Sequence, residues 1–210
     1  GKQELKTNQD PTWKHLSSPT LDAEVLLAYA LGVTKPQLFA RLNYDVSPGQ
    51  DKSFRDYVER RLKQEPVAYI TGQKYFYGRA FDVTPDVLIP RPGTETLVQE
   101  ALRISKESST PPLFIDLGVG SGTIALTLAA ETGYTVLGSD LSPEAIAIAK
   151  QNASKLDVQK HVTLKEGNLL EPLLEEITTT KPAATIVTAN LPYLTTEQWE
   201  GAQPLSLIHI

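Results

Sequence analysis

From Leu113 onward short apolar runs alternate with helical stretches, and that alternation restricts the fold more than any other feature of the 210-residue chain. Leu113–Leu117, Tyr134–Ser139, His161–Lys165 and Ala184–Ala189 read as strands. Thr123–Thr132, Pro143–Lys155 and a weaker Leu170–Ile177 read as helices. Strand–helix alternation predicts an α/β fold with a parallel, doubly wound sheet, because a parallel crossover needs a helix to bring the chain back. Ser142 is a natural cap for the second helix, with Ala145, Ile146, Ile148, Ala149 and Ala153 facing inward.

The first third has a different period. Leu21, Val25, Leu26, Ala28, Tyr29 and Leu31 recur at three- and four-residue steps, and Gly32 follows as a stop. A short helix is expected after Thr34, with Pro36 in its first turn. A longer one is expected from about Gly49 to Gln64, its inner side marked by Phe54, Tyr57, Val58, Arg61 and Leu62. Arg60-Arg61 reads as a solvated face. Residues 67–89 are rich in aromatic and β-branched side chains, with Gly72 and Gly78 between them, which suggests a hairpin with Tyr75, Phe76 and Tyr77 in its core. Pro90-Arg91-Pro92-Gly93 is a rigid connector into a helix over 94–105. The expected division is a helical domain over 1–74, a hairpin linker over 75–92 and a sheet domain over 93–210.

Composition narrows the function. With 40% apolar and 21% charged residues, the chain can fold rather than stay disordered. The absence of Cys excludes a disulfide scaffold, a thiolate metal site and a Cys nucleophile. The absence of Met predicts a processed, edited or partial chain. The net charge is −5, and residues 91–210 carry 8 basic against 14 acidic side chains. Binding driven by nucleic-acid phosphates is therefore disfavoured. The apolar run Thr123–Ala130 is far short of the roughly 20 residues of a membrane span, and GKQELKTNQD has no apolar signal region. A cytoplasmic monomer is expected. His15, His161 and His209 are scattered and predict no metal site. Asn152-Ala-Ser154 matches a glycosylation acceptor, but nothing in the N-terminal segment supports secretion.

Asp116-Leu117-Gly118-Val119-Gly120-Ser121-Gly122 lies between the first strand and its helix. Glycines there allow backbone angles closed to other residues and let a ligand touch the main chain. A tight turn without a ligand reads the same residues. Asp140 ends the second strand, 18 residues beyond Gly122, where a carboxylate can accept both hydroxyls of a ribose. A helix cap is its alternative reading. Thr123 stands where the dinucleotide fingerprint needs its third Gly, so a nucleoside without a pyrophosphate is the better ligand. At the third strand tip, Asn168 can accept from an adenine amino group and Leu169 can pack on the ring; a plain Gly-Asn turn fits equally well.

Asn190-Leu191-Pro192-Tyr193 ends the fourth strand, at the edge of the sheet where ligands bind in such folds. Pro192 restricts Leu191 to extended angles. The Asn190 side-chain oxygen and the Leu191 carbonyl can then accept two N–H bonds from one planar –NH₂ group, and Tyr193 offers a face for stacking. That pattern suits methyl transfer to an amide or aromatic amine. The nitrogen is a poor nucleophile, and acceptors on its hydrogens would hold its lone pair toward the methyl group and support the developing charge.

Together these residues resemble the HemK/PrmC family, which methylates the glutamine of the Gly-Gly-Gln loop in peptide chain release factors. The resemblance runs from about Asp22 to Tyr193. It is most specific from Tyr69 to Glu95, through Phe76-Tyr77-Gly78 and Val87-Leu88-Ile89-Pro90-Arg91-Pro92. It implies a Rossmann-like class I methyltransferase sheet behind a helical bundle and hairpin, with S-adenosylmethionine as cofactor and release factors as protein substrate. It assigns cofactor contacts to Asp116, Gly118, Val119, Gly120, Ser121, Gly122, Asp140, Leu141, Asn168, Leu169 and Asn190. It assigns catalysis to Asn190, Pro192 and Tyr193, and substrate contacts to these with Leu191 and Arg91. Asp116 would orient the amino end of the cofactor, with a structural cap as the alternative.

The chain departs from the family pattern at Leu191, where the family has Pro, at Gly93, where it has Glu, and at Asn168, where it often has Asp. Only four of the family's seven strands are legible, and 203–210 does not read as their continuation. The expectation is a sheet truncated after its fourth strand, with an unpaired edge, an uncovered apolar face and weak or absent activity. Rival readings are an adenine-amine methyltransferase acting on RNA, a ribosomal-protein glutamine methyltransferase, and a binding module that has lost catalysis.

Overall fold

The computed structural model describes residues 18–40 and 45–191. The chain divides between Gly72 and Gln73 into two compact units. The first contains helices α1 (Pro19–Leu31), α2 (Lys35–Ala40), α3 (Pro48–Leu62) and α4 (Val67–Thr71). Gly32 ends α1 in the left-handed conformation at φ +68°, and the Gly32 and Val33 N–H groups donate to Tyr29 and Ala28. A capping box starts α3: Ser47 Oγ accepts from the Gln50 N–H, and Gln50 Oε1 accepts from the Ser47 N–H. The core is Ala23, Leu26, Phe54, Val58 and Ile70.

Arg61 corrects the solvated-face reading. Its side chain is 11% exposed and donates from Nε to Asp22 Oδ2 at 2.8 Å and from Nη1 to the Glu65 carbonyl at 3.1 Å. A guanidinium on the inner side of α3 can be buried because a carboxylate of α1 lies opposite it. Arg60 is the solvated one, paired with Glu65 at the helix end. The five residues of α4 carry too little periodicity to be legible in the sequence.

In the second unit, β1 (Gln73–Phe76) and β2 (Arg79–Asp82) form an antiparallel hairpin. Its two-residue turn has positive φ at Tyr77 (+49°) and Gly78 (+75°), as the twist of a tight hairpin requires. Alternation along the strand buries Phe76 and leaves Tyr75 71% exposed, so Tyr75 does not belong to the hairpin core. The hairpin, expected as a linker, packs into this unit: Phe76 and Phe81 share a cluster with Phe114, Val136 and Leu128.

The rest comprises α5 (Thr94–Glu107), β3 (Leu113–Leu117), α6 (Thr123–Thr132), β4 (Val136–Asp140), α7 (Pro143–Lys155), β5 (Val162–Glu166), a 3₁₀ turn (Glu171–Leu173), α8 (Leu174–Thr180) and β6 (Thr185–Ala189). The four strands form one parallel sheet in the order β5-β4-β3-β6. All five residues of β3 are buried. Phe114 joins the cluster with α5, α6 and the hairpin, while Leu113, Ile115 and Leu117 pack with Leu137 and Leu173 on the opposite face. A strand covered on both faces reads as an unbroken apolar run, which is why it stands out in the sequence. On β6, Val187 is 52% exposed. No described helix is long and apolar enough to cross a membrane.

Strand order fixes where a ligand can sit. From β3 the chain moves to β4 and β5 on one side, then returns to β6 on the other. The carboxyl ends of β3 and β6 therefore lie side by side, at the edge where open α/β sheets bind ligands.

Candidate active site

The turn after β3 leaves the sheet through Gly118, Gly120 and Gly122, at φ +71°, +52° and +84°. Four of its amides are partnered within the protein. Gly118 and Val119 donate to the Ser139 carbonyl at 2.8 and 3.1 Å, Gly122 donates to the Val119 carbonyl, and Gly120 donates to Asp140 Oδ2 at 2.8 Å. A phosphate needs a row of free N–H donors, and these four are consumed. Over Gly120 there is open space where a Cβ would stand, so a ligand can approach the main chain there.

Asp140, half-buried at the β4 tip, takes the Gly120 N–H on Oδ2 and the Ser142 N–H on Oδ1, the latter at 3.0 Å. Each carboxylate oxygen keeps an acceptor site, enough for two ribose hydroxyls. The helix-cap reading and the ligand reading are thus compatible. Cap duty for α7 falls mainly to Ser142, whose Oγ accepts from Ala145 N.

Asp116 sits deeper than a ligand contact. It is 1% exposed, with Oδ1 accepting from the Thr188 hydroxyl at 2.7 Å and Oδ2 from the Ala125 N–H at 3.2 Å. Burial pushes its carboxyl up to about 7, the two hydrogen bonds oppose that rise, and the Asp140 charge adds to it. The side chain ties β3 to β6 and to the start of α6. These are the partners the structural-cap alternative calls for.

Leu141 (70% exposed) follows β4, and Leu169 (44%) follows β5. Leu169 has φ +46°, a strained angle for a leucine, and the fully buried Ser139 hydroxyl donates to its carbonyl at 2.6 Å. One residue therefore braces two walls: its carbonyl holds the glycine turn and its hydroxyl holds Leu169. Asn168 is exposed; its carbonyl accepts from the Glu171 N–H, and its Nδ2 lies 3.5 Å from Glu171 Oε1. Those contacts are those of a turn opening the 3₁₀ segment. Val119 packs with Ile146, Ala149 and Leu164 under the turn, and Ser121 is buried. Gly138 of β4 makes room for that packing, since a Cβ there would lie 2.6 Å from Val119 Cγ1 and 2.9 Å from Leu164 Cδ2.

Beyond β6, Asn190 and Leu191 are described; Pro192, Tyr193 and 203–210 lie outside the described residues. A Cβ on Gly118 would meet Leu191 Cδ2 at 2.6 Å, so the leucine lies directly against the glycine turn. Asn190 is exposed, and its Nδ2 donates to Thr94 Oγ1 at 3.4 Å. Arg91 contributes its carbonyl to the Thr94 N–H, at the start of α5. The glycine turn, Asp140 and the described part of the Asn-Leu-Pro-Tyr segment thus meet at one edge.

Sequence reasoning missed Asn152. It is fully buried, which leaves no room for a glycan. It accepts the Asp82 N–H on Oδ1 at 2.8 Å and donates from Nδ2 to the Asp82 and Ser121 carbonyls at 3.0 and 2.9 Å. It also missed Ser139 and Thr188. For all three the usable signal is a polar residue on an inward-facing position, which must find a buried partner.

The family description "PrmC N-terminal domain" matches residues 13–72, and "Methyltransferase domain" matches 114–203. A release factor glutamine methyltransferase of Geobacter sulfurreducens is 38% identical over 91% of this chain and 64% of its own. One of Moorella thermoacetica is 42% identical over 74% of this chain and 55% of its own. The chain thus spans less than two thirds of the length of these relatives. Among solved structures, an RNA methyltransferase of Salinibacter ruber in complex with S-adenosyl-L-homocysteine is 28% identical over 50% of this chain and 61% of its own, with a TM-score of 0.39. The chain thus carries a region matching a PrmC N-terminal domain ahead of one matching a methyltransferase domain, and is similar to release factor glutamine methyltransferases.

Proposed function

We propose that the protein carrying this chain transfers a methyl group from S-adenosylmethionine to the side-chain nitrogen of the Gly-Gly-Gln glutamine in peptide chain release factors. The observation that carries the reading is the seating of Leu191 against Gly118, with Asn190 beside it. An acceptor pair for an –NH₂ group then adjoins the turn where a nucleoside fits. The residues also fit the cofactor's chemistry: open main chain at Gly120, two spare acceptor sites on Asp140, and exposed Leu141 and Leu169 for an adenine ring.

When bound, S-adenosylmethionine supplies an electrophilic methyl on a sulfonium centre: the N–C bond forms as the C–S bond breaks, its electrons stay on sulfur, and the amide proton passes to water. The chain's part is positioning. Asp140 and the leucines would hold the nucleoside. The Asn190 oxygen and the Leu191 carbonyl would accept the two amide N–H bonds and stabilise the charge growing on nitrogen. Pro192 would stiffen the turn and Tyr193 would stack on the amide. Arg91 is a candidate contact for the protein substrate. Leu191 keeps the carbonyl that the family's proline supplies.

The test is mass spectrometry of a release factor incubated with S-adenosylmethionine and this chain, in parallel with the chain extended to the length of its relatives. A single methyl on the Gly-Gly-Gln glutamine is expected. An unmodified glutamine with both proteins sinks the reading, and methylated adenine in added RNA would establish the rival one. Equal activity of the two lengths would overturn the expectation that a four-strand sheet is impaired.

A further inference from the structure

We propose that Ser139 is a positioning residue for the nucleobase of the cofactor: its hydroxyl holds Leu169 in the backbone conformation that presents the leucine side chain at the carboxyl edge of the sheet. The proposal rests on the reading above that a nucleoside lies at this edge. Leu169 has φ +46°, in the left-handed region. A leucine there is strained, because its Cβ crowds the following carbonyl, and it persists only where the surroundings over-determine it. Its side chain is nevertheless 44% exposed, so apolar burial does not hold it in place. The restraint has to act on the main chain.

That restraint comes from the neighbouring strand. Ser139 lies on β4, in register with Leu117 of β3 and Lys165 of β5, and is fully buried. Its Oγ donates to the Leu169 carbonyl at 2.6 Å. A carbonyl can only accept, so this contact commits the hydroxyl proton and runs in one direction. The flanking residues are fastened as well: the Gly167 N–H donates to the Asp140 carbonyl at 2.9 Å, and the Asn168 carbonyl accepts from the Glu171 N–H at 3.0 Å. Both of those bonds are between main-chain groups. The bond to Leu169 comes from a side chain, so it depends on the residue type, and it reaches the residue that carries the strain. Exposed Leu141 follows β4 and exposed Leu169 follows β5, and the two strands are paired. The leucines thus stand at the tips of neighbouring strands, as two walls for one flat ring would.

The test uses Ser139→Ala, which deletes the hydroxyl and keeps the carbonyl that takes the Gly118 and Val119 N–H groups. Affinity for S-adenosylhomocysteine is measured by calorimetry in the parent, Ser139→Ala, Leu169→Ala and the double variant. Ser139→Ala should bind about tenfold more weakly, the upper range for one neutral hydrogen bond, because only a fraction of the molecules then holds Leu169 ready. In the Leu169→Ala background the same change should cost less than about threefold, since no leucine side chain is left to aim. The Leu169 carbonyl ¹³C signal should shift in Ser139→Ala without any ligand. In the chain extended to the length of its relatives, KM for S-adenosylmethionine should rise about tenfold while kcat stays within about twofold, because the hydroxyl contacts neither Asn190 nor Leu191. Ser139→Cys fills nearly the same space with a weaker donor; it should fall between parent and alanine, and it carries the comparison if alanine does not fold. Parental affinity in Ser139→Ala overturns the proposal, and so do equal losses in the two backgrounds, which a purely structural serine would give. If no methyl reaches the release factor while S-adenosylhomocysteine binding follows the expected pattern, the glutamine reading fails and the role of Ser139 stands; a parent that binds no S-adenosylhomocysteine overturns both.

Discussion

Replacing Asn152 by Ala tests whether one buried amide joins the hairpin to the glycine turn. The substitution deletes three hydrogen bonds of 2.8–3.0 Å, two to the main chain of Asp82 and one to Ser121. Each neutral bond contributes about 1 kcal/mol net, and a partner left unpaired away from water costs about 1–3 kcal/mol. Asp82 is half-buried, so water can repair part of the loss there. The Ser121 end, between a fully buried side chain and a buried turn, has less access. The sum is roughly 3–5 kcal/mol, a fall of about 10 °C in Tm for a unit of this size. Thermal unfolding followed by circular dichroism measures it, and amide exchange at Asp82 should quicken. Asn152→Asp sharpens the test, because it keeps the acceptor for the Asp82 N–H but faces a carboxylate toward two carbonyls. It should be at least as damaging at neutral pH and recover in part in acid, where a protonated carboxyl donates again. A Tm change under about 3 °C for Asn152→Ala would show that the bonds do not hold the two segments together.

Two further perturbations bear on the site. Gly118→Ala adds a Cβ 2.6 Å from Leu191 Cδ2 at φ +71°, so it should unseat the leucine and weaken S-adenosylmethionine binding about tenfold or more. Adding Leu191→Ala removes the clash and leaves only the φ cost of about 1 kcal/mol, so calorimetry should find binding partly restored; no recovery would mean the contact is irrelevant. Asp116, pushed up to about 7 by burial from 3.8, holds a proton in the folded state over a window where the unfolded chain has released it. Its contribution to stability is full below about pH 4, declines as pH rises through about 7, and is flat above that. Urea unfolding between about pH 5 and pH 8 should show Asp116→Asn lacking that decline, and an identical pH slope in both proteins would refute the assignment.

Legibility followed the range of the interaction. Local rules suffice for the strand β3 and the helices α6 and α7, whose bounds are those expected from the sequence, because unbroken apolar runs, Gly punctuation and the Ser142 cap act within a few residues. The glycine turn and the Asn-Leu-Pro-Tyr segment were visible for the same reason: each announces a backbone conformation on its own. The short α4 was not, since five residues carry no full period.

The sequence by itself determined the alternation, the turn chemistry and therefore the class of sheet. Only the tertiary structure decided the roles of individual polar groups. Arg61 could be solvated or paired until α1 brought Asp22 within 2.8 Å of it. Asp116 found the Thr188 hydroxyl only through the register of β3 with β6. Asn152 and Ser139 acquired their tasks from segments 70 and 30 residues away. A side chain's chemistry is fixed by its own atoms, but its partner is chosen by strand order and helix packing, which no local pattern encodes.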